Sequence, residues 1–176
     1  MASPVEAGEK SARFESLVLP HLDAAYNLAR WLTGNQADAE DVVQESYLRA
    51  LTFFGGFHGS DGRAWLLAIV RNTCFTWLRR NRPAHTEELE EERHGIAEGT
   101  RAEATLLDRI DHQRLHEAME QLPSEYREVL VLREMEDLSY KQISSITGVP
   151  LGTVMSRLAR ARNRLGLMLR PARGGG

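Results

Sequence analysis

Apolar residues recur at helical spacing in two blocks of this chain. The stretch between them, AHTEELEEERHGIAEGTRAEAT from Ala84 to Thr105, has almost none. That division limits the fold more than any other feature, because each block must bury its own apolar stripes and the stretch between has nothing to bury. Residues 84–112 carry 9 acidic and 3 basic side chains and read as a flexible acidic linker, with Pro83 closing the block before it. No segment shows sustained strand alternation. The expected fold is all-α, two small helical domains joined by that linker. The boundaries are a disordered N-terminus over 1–13, a first domain over 14–83, the linker over 84–112, a second domain over 113–170 and a disordered tail over 171–176.

In the first block Leu19, Leu22, Tyr26 and Ala29 step by three, four and three, and Gly34 stands where such a helix ends. Asp38 reads as the next N-cap, with Glu40 and Asp41 favourable to the helix dipole. Its helix places Ala39, Val42, Val43, Tyr47, Ala50 and Leu51 on one stripe. GGFHGS at 55–60 is a loop by its glycines. A third helix from about Arg63 to Arg80 buries Leu66, Ile69 and Val70 and carries Trp65, Phe75 and Trp77, of which at least one tryptophan is expected in the core. No acid lies between Asp61 and Pro83, and Arg63, Arg71, Arg79, Arg80 and Arg82 interleave with the aromatics. Cations with rings suit unpaired nucleic acid, whose exposed bases stack on aromatic faces, although aromatics at helical spacing more often serve a core.

The second block opens with Leu115, Met119 and Leu122 on one face. Pro123 and Ser124 then start a helix carrying Tyr126, Val129, Leu130 and Met135. Ser139 followed by Gln142 is a capping box. The short helix it opens faces Ile143 and Ile146 inward. Gly148 supplies the left-handed residue of a sharp reversal, and Pro150 sits where a helix begins. Val154, Leu158, Ala161 and Leu165 mark the buried face of the last helix, and Thr153, Arg157, Arg160 and Arg164 share another. A short helix, a glycine turn and a second helix with a cationic outer face form the helix-turn-helix pattern. After Asp137 there is no acid, while seven basic residues follow. A solvated basic face is the plainer reading, but together these features favour binding to duplex DNA through phosphates, with Thr153, Ser156 and Arg160 within reach of base edges.

The remaining constraints are exclusions. The longest apolar run, Ala64 to Val70, is too short to cross a bilayer, so no membrane insertion is expected. The first residues lack the apolar core of a signal peptide, and Cys74 is the single cysteine, which together point to the cytoplasm. His112 and His116 are spaced for a metal but no third ligand is evident. No nucleophile motif or phosphate-cradling loop is present, and neither an enzyme nor a cofactor is expected.

DAEDVVQESYLRAL at 38–51 followed by AWLLAIVRNTCFTWLRRNR at 64–82 resembles region 2 of the bacterial extracytoplasmic-function (ECF) sigma factors. LPSEYREVLVLREMEDLSYKQISSITGVPLGTVMSRLARARNRL at 122–165 resembles their region 4. The resemblance covers about three quarters of the chain, in the family's order. It implies a promoter-specificity subunit of RNA polymerase. Asp41, Gln44, Glu45 and Arg49 would dock on the clamp helices of the largest subunit, and region 4 would meet the flap of the second. The segment from Phe57 to Arg80 would melt and read the −10 element. Phe57, Trp65, Arg71, Arg79 and Arg80 would handle the strand, and Asn72 matches a position lining a pocket for a flipped base. Region 4 would read the −35 element through Lys141, Thr153, Met155, Ser156, Arg157, Arg160 and Arg162, and the acidic linker would thread toward the RNA exit path. An anti-sigma factor is the further implied partner.

Two residues depart from the family pattern. Met155 stands where Lys or Arg is frequent, which would give an apolar contact to a thymine methyl. Thr76 stands where Asp is common. The alternatives are a stand-alone helix-turn-helix regulator, which leaves the Asp41–Arg49 face unexplained, and a helical adaptor that binds only proteins.

Overall fold

The computed structural model describes residues 1, 3–81 and 112–171, and all the regular structure in them is helical. The expected linker, apart from His112, and tail residues 172–176 lie outside the described residues. Helix α1 spans Pro4–Val18, α2 Leu22–Thr33, α3 Gln36–Phe53 and α4 Gly62–Asn81. In the second block α5 spans His112–Glu120, α6 Ser124–Leu130, α7 Tyr140–Thr147 and α8 Leu151–Leu169.

The N-terminus corrects the expectation of disorder over residues 1–13. Ser3 and Glu6 form a capping box, the Ser3 amide donating to Glu6 Oε2 (2.7 Å) and the Glu6 amide to Ser3 Oγ (3.2 Å), and Pro4 takes the first helical position. Phe14 and Val18 then bury in the first lobe. Gly34 ends α2 in the left-handed region at φ 91°, as its position implies. Asn35, not Asp38, caps α3: the Asp38 amide donates to Asn35 Oδ1 (2.9 Å) and Asp38 sits one turn inside. Asp61 caps the start of α4, accepting from the Ala64 amide (3.0 Å).

Several expected stripes rotate. In α2 the buried residues are Ala25, Leu28, Ala29 and Leu32, while Leu19 is exposed and Leu22 and Tyr26 are half-buried. In α3 Leu51 faces solvent, and in α4 Leu66, Leu67, Val70 and Cys74 fill the core while Ile69 is only half-buried. None of the three tryptophans is fully buried. Each buried Leu, Val or Phe contributes roughly 1.5–3 kcal/mol. The α1–α4 crossing is tight: a Cβ at Gly62 would lie 2.0 Å from the Leu17 carbonyl oxygen.

In the second lobe Met119, Leu122, Tyr126, Val129 and Leu130 bury as expected, whereas Met135 is exposed. Helix α6 runs on into a π-helical turn over Val131–Met135, followed by Asp137 at φ 52°, and together these swing the chain into α7. The Ser139–Gln142 capping box forms (2.9 and 3.1 Å), and Gly148 adopts φ 75°. The Ser144 hydroxyl donates to the Val149 carbonyl (2.6 Å), closing the turn. Pro150 is the residue before α8, with extended ψ, and not its first helical residue. Val154, Leu158, Ala161 and Leu165 are buried, at the spacing read from sequence.

The two lobes pack on each other, α2 against α6 and α4 against α7. Arg127 organises this seam. It donates to the carbonyls of Met119 (2.9 Å), Glu120 (3.1 Å) and Leu122 (2.8 Å) at the end of α5, and across the seam to that of Trp31 (2.9 Å). A guanidinium there satisfies orphan helix carbonyls and complements the dipole.

Candidate functional site

Three surfaces carry the residues singled out from sequence. On α8, Leu151 and Met155 are exposed one turn apart, and a Cβ at Gly152 would meet no heavy atom within 4 Å. Thr153, Ser156, Arg157 and Arg160 are half-buried along the same helix, with the Ser156 hydroxyl donating to the Thr153 carbonyl (3.1 Å). Lys141 is exposed on α7. Arg162 does not join this set: its guanidinium is held by Glu134 (2.6 and 2.7 Å), and that pairing raises its already high pKa further against the effect of burial. Arg164 lies over the Tyr126 ring at 5.0 Å.

On α4, Asn72, Arg79 and Arg80 are exposed. The Thr76 hydroxyl donates to the Asn72 carbonyl (3.0 Å) and accepts from Arg79 (3.3 Å), so threonine here ties together two candidate DNA residues. Trp65 is stacked on Phe57 at 4.8 Å and 25°, which occupies one face of each ring. Arg13 from α1 steadies the loop before α4, donating to the carbonyls of Phe57 (3.0 Å) and Gly59 (3.4 Å) while lying over the Phe54 ring at 5.2 Å. Sequence reasoning missed Arg13, because nothing local marks it. Arg71 is half-buried and already paired. It donates to both oxygens of Glu128 (2.8 and 3.2 Å) across the seam and sits over Phe75 at 4.1 Å. Glu128 is 0% exposed. Burial pushes its carboxyl up to about 7, while Arg71 and Arg157 pull it down and Glu125 pushes it up.

On α3, Asp41, Gln44 and Glu45 are exposed, and Arg49 pairs with Glu45 at 2.7 Å. Sequence analysis missed the apolar part of this neighbourhood: Leu48 (55% exposed), Leu51 and Phe53 (65% exposed) are open to solvent on the same helix. The signal was available, since α3 has more large apolar residues than one stripe holds. His116 packs its ring on Trp31 (5.2 Å) and meets Glu120 (3.3 Å). Among the described residues no cluster could hold a metal ion, and no helix is long and apolar enough to cross a membrane.

A helical lobe with an aromatic and arginine-bearing helix, followed by a helix-turn-helix lobe, is the arrangement of the sigma-70 class. Residues 17–84 match the family model for Sigma-70 region 2, and residues 112–165 match that for Sigma-70, region 4. Relatives include the RNA polymerase sigma-H factor of Pseudomonas aeruginosa, 33% identical over 95% of this chain and 91% of that one. Another is the ECF RNA polymerase sigma factor SigW of Bacillus subtilis, 30% identical over 94% and 93%. The ECF RNA polymerase sigma factor SigE of Mycolicibacterium smegmatis is 36% identical, and this chain spans 60% of its length. Among solved structures, the sigma factor RpoE of Bartonella quintana in complex with the anti-sigma factor NepR superposes with a TM-score of 0.70, at 29% identity, covering 92% of this chain and 99% of that one. The chain belongs to the ECF RNA polymerase sigma factors, a family of transcription initiation factors.

Proposed function

We propose that this sigma factor associates with core RNA polymerase through the exposed α3 face and directs initiation at promoters of a signal-responsive regulon, acting in the cytoplasm under control of an anti-sigma factor. Asp41, Gln44 and Glu45 supply charge complementary to a basic partner surface on the polymerase clamp, and Leu48, Leu51 and Phe53 supply apolar area beside them. Asn72, Arg79 and Arg80 on α4 engage the −10 element as it opens. Unstacking a base costs a few kcal/mol, so capture of an extruded base makes opening selective. Helix α8 enters the major groove at the −35 element with Ser156 and Arg160 nearest the bases and Met155 against a thymine methyl.

The observation that carries this reading is the presence in one chain, in family order, of both region matches, with Asn72, Arg79 and Arg80 exposed in the first and Lys141 and Met155 in the second. The test is run-off transcription with purified core enzyme on a promoter library. Defined start sites that appear only when chain and core are mixed support it. A shift of duplex promoter DNA by the chain alone, with no transcript on adding core, would instead establish the stand-alone regulator.

A further inference from the structure

The loop over residues 54–61 carries the chain from α3 to α4, and Gly55, Gly56 and Gly59 give it little stiffness of its own. What fixes it comes from elsewhere in the chain. Arg13 reaches it from α1, 44 and 46 positions away, and one guanidinium donates to two loop carbonyls, Nη1 to Phe57 (3.0 Å) and Nη2 to Gly59 (3.4 Å). The same guanidinium lies over the Phe54 and Phe57 rings, at 5.2 and 5.7 Å. Both rings are committed a second time, Phe57 stacked on Trp65 at 4.8 Å and Phe54 edge-on to the buried Phe14 at 5.1 Å. Gly59 folds back on Phe57 so closely that a Cβ there would lie 3.1 Å from Phe57 Cε2. His58 is the one residue between the two gripped carbonyls, and it is exposed.

We infer that Arg13 is a positioning residue for promoter selectivity: by gripping the carbonyls on either side of His58 it holds that imidazole in one place, so that the loop meets the bases of the −10 element already ordered. This rests on the −10 reading above. The physical ground is the entropy of the loop. An ordered loop keeps the full contact with the right base and cannot bend away from a wrong one, whereas a slack loop loses on the first and forgives the second. The ring nitrogens of His58 suit a base edge. The chemistry of the grip is particular to arginine. Its planar fork presents two N–H groups to two carbonyls and a flat face to two rings, while lysine keeps the charge and has neither fork nor plane.

The experiment uses the full chain with core enzyme and promoters from the library above that differ by single bases in the −10 element. The readout is the ratio of run-off transcript from the preferred −10 sequence to that from each single-base variant. Arg13→Lys is expected to lower the largest of these ratios by about fivefold or more, fivefold being the lower end of what one base contact contributes to discrimination. Partial unfolding or a weaker hold on core would reduce transcript from every promoter alike and leave the ratios unmoved, so the ratio separates positioning from a merely structural role. His58→Ala should lower the ratio at the same base position, and the double substitution should lower it no further than the larger single effect. Hydrogen exchange of Arg13→Lys should be faster in residues 54–61 and unchanged in α2 and α4. Unchanged or raised ratios in Arg13→Lys, additive losses in the double substitution, or faster exchange throughout the lobe would each overturn the inference. Absence of transcript from the wild-type chain with core on every promoter would instead refute the sigma-factor mechanism itself, a different failure.

Discussion

Glu128 shows how far a single residue's setting can depart from what its neighbours in sequence suggest. A glutamate on a helix is ordinarily solvated, yet packing of its lobe on the first buries Glu128 against Arg71, with Arg157, Glu125 and Cys74 also nearby. Its pKa with the lobes packed, about 7, stands above its ordinary 4.5. The packed form therefore holds a proton that a form with this carboxyl solvated releases, and packing of the lobes weakens as pH rises from about 4.5 to about 7, then levels off. Scattering across that range should show the wild-type radius growing with pH, and Glu128→Gln should flatten the curve. Arg162 offers a second prediction at this scale. Because Glu134 holds it, Arg162→Ala should leave the salt slope of −35 duplex binding nearly unchanged, whereas Lys141→Ala, which removes an exposed cation, should reduce that slope by about 0.9. The sequence identified both as cations. It did not show that one was already paired, because its partner lies 28 positions away.

At the scale of elements, the signals that were legible are those written within a few residues. The Ser139 box, the Gly34 and Gly148 reversals and the inward stripe of α8 all appear where the local pattern puts them. The misses have physical causes. Asn35 outcompetes Asp38 as cap because it follows the Gly34 reversal directly, leaving Asp38 to serve inside the first turn. Helix α1 was overlooked because its own apolar content is low, and its order comes from Ser3, Glu6 and Pro4 at one end and from Phe14 and Val18 docking on α3 and α4 at the other. The π-helical turn at Val131–Met135 has no local signature and follows from how α6 must deliver the chain to α7. Two stability predictions belong here. Gly62→Ala should cost about 2 kcal/mol or more in denaturant unfolding, because its methyl would drive α4 off the Leu17 carbonyl. Ser139→Ala should cost about 1 kcal/mol through loss of the α7 cap.

Across the whole molecule, the candidate surfaces are separate enough to be broken one at a time. Asp41→Lys with Glu45→Lys should abolish co-purification with core enzyme while −35 duplex binding by the same chain changes less than twofold. Arg79→Ala with Arg80→Ala should retain core binding and lose most strand opening, read as permanganate reactivity of thymines near the −10 element. The division into lobes, the helix-turn-helix and the cationic faces could be read from composition and period alone. How the lobes meet could not, because Arg127, Arg71 and Arg63 find partners 57 to 96 positions away and nothing in their local pattern selects those partners.

Cys74 carries a consequence of its own. Burial, with a smaller push from the Glu128 charge, lifts its thiol to about 12, so it holds its proton throughout the physiological range. Peroxides and electrophiles attack thiolates, and this chain presents none to them. Thiol oxidation is therefore no direct route by which peroxide could act on this chain, and Cys74→Ser should leave its response to peroxide in run-off transcription unchanged.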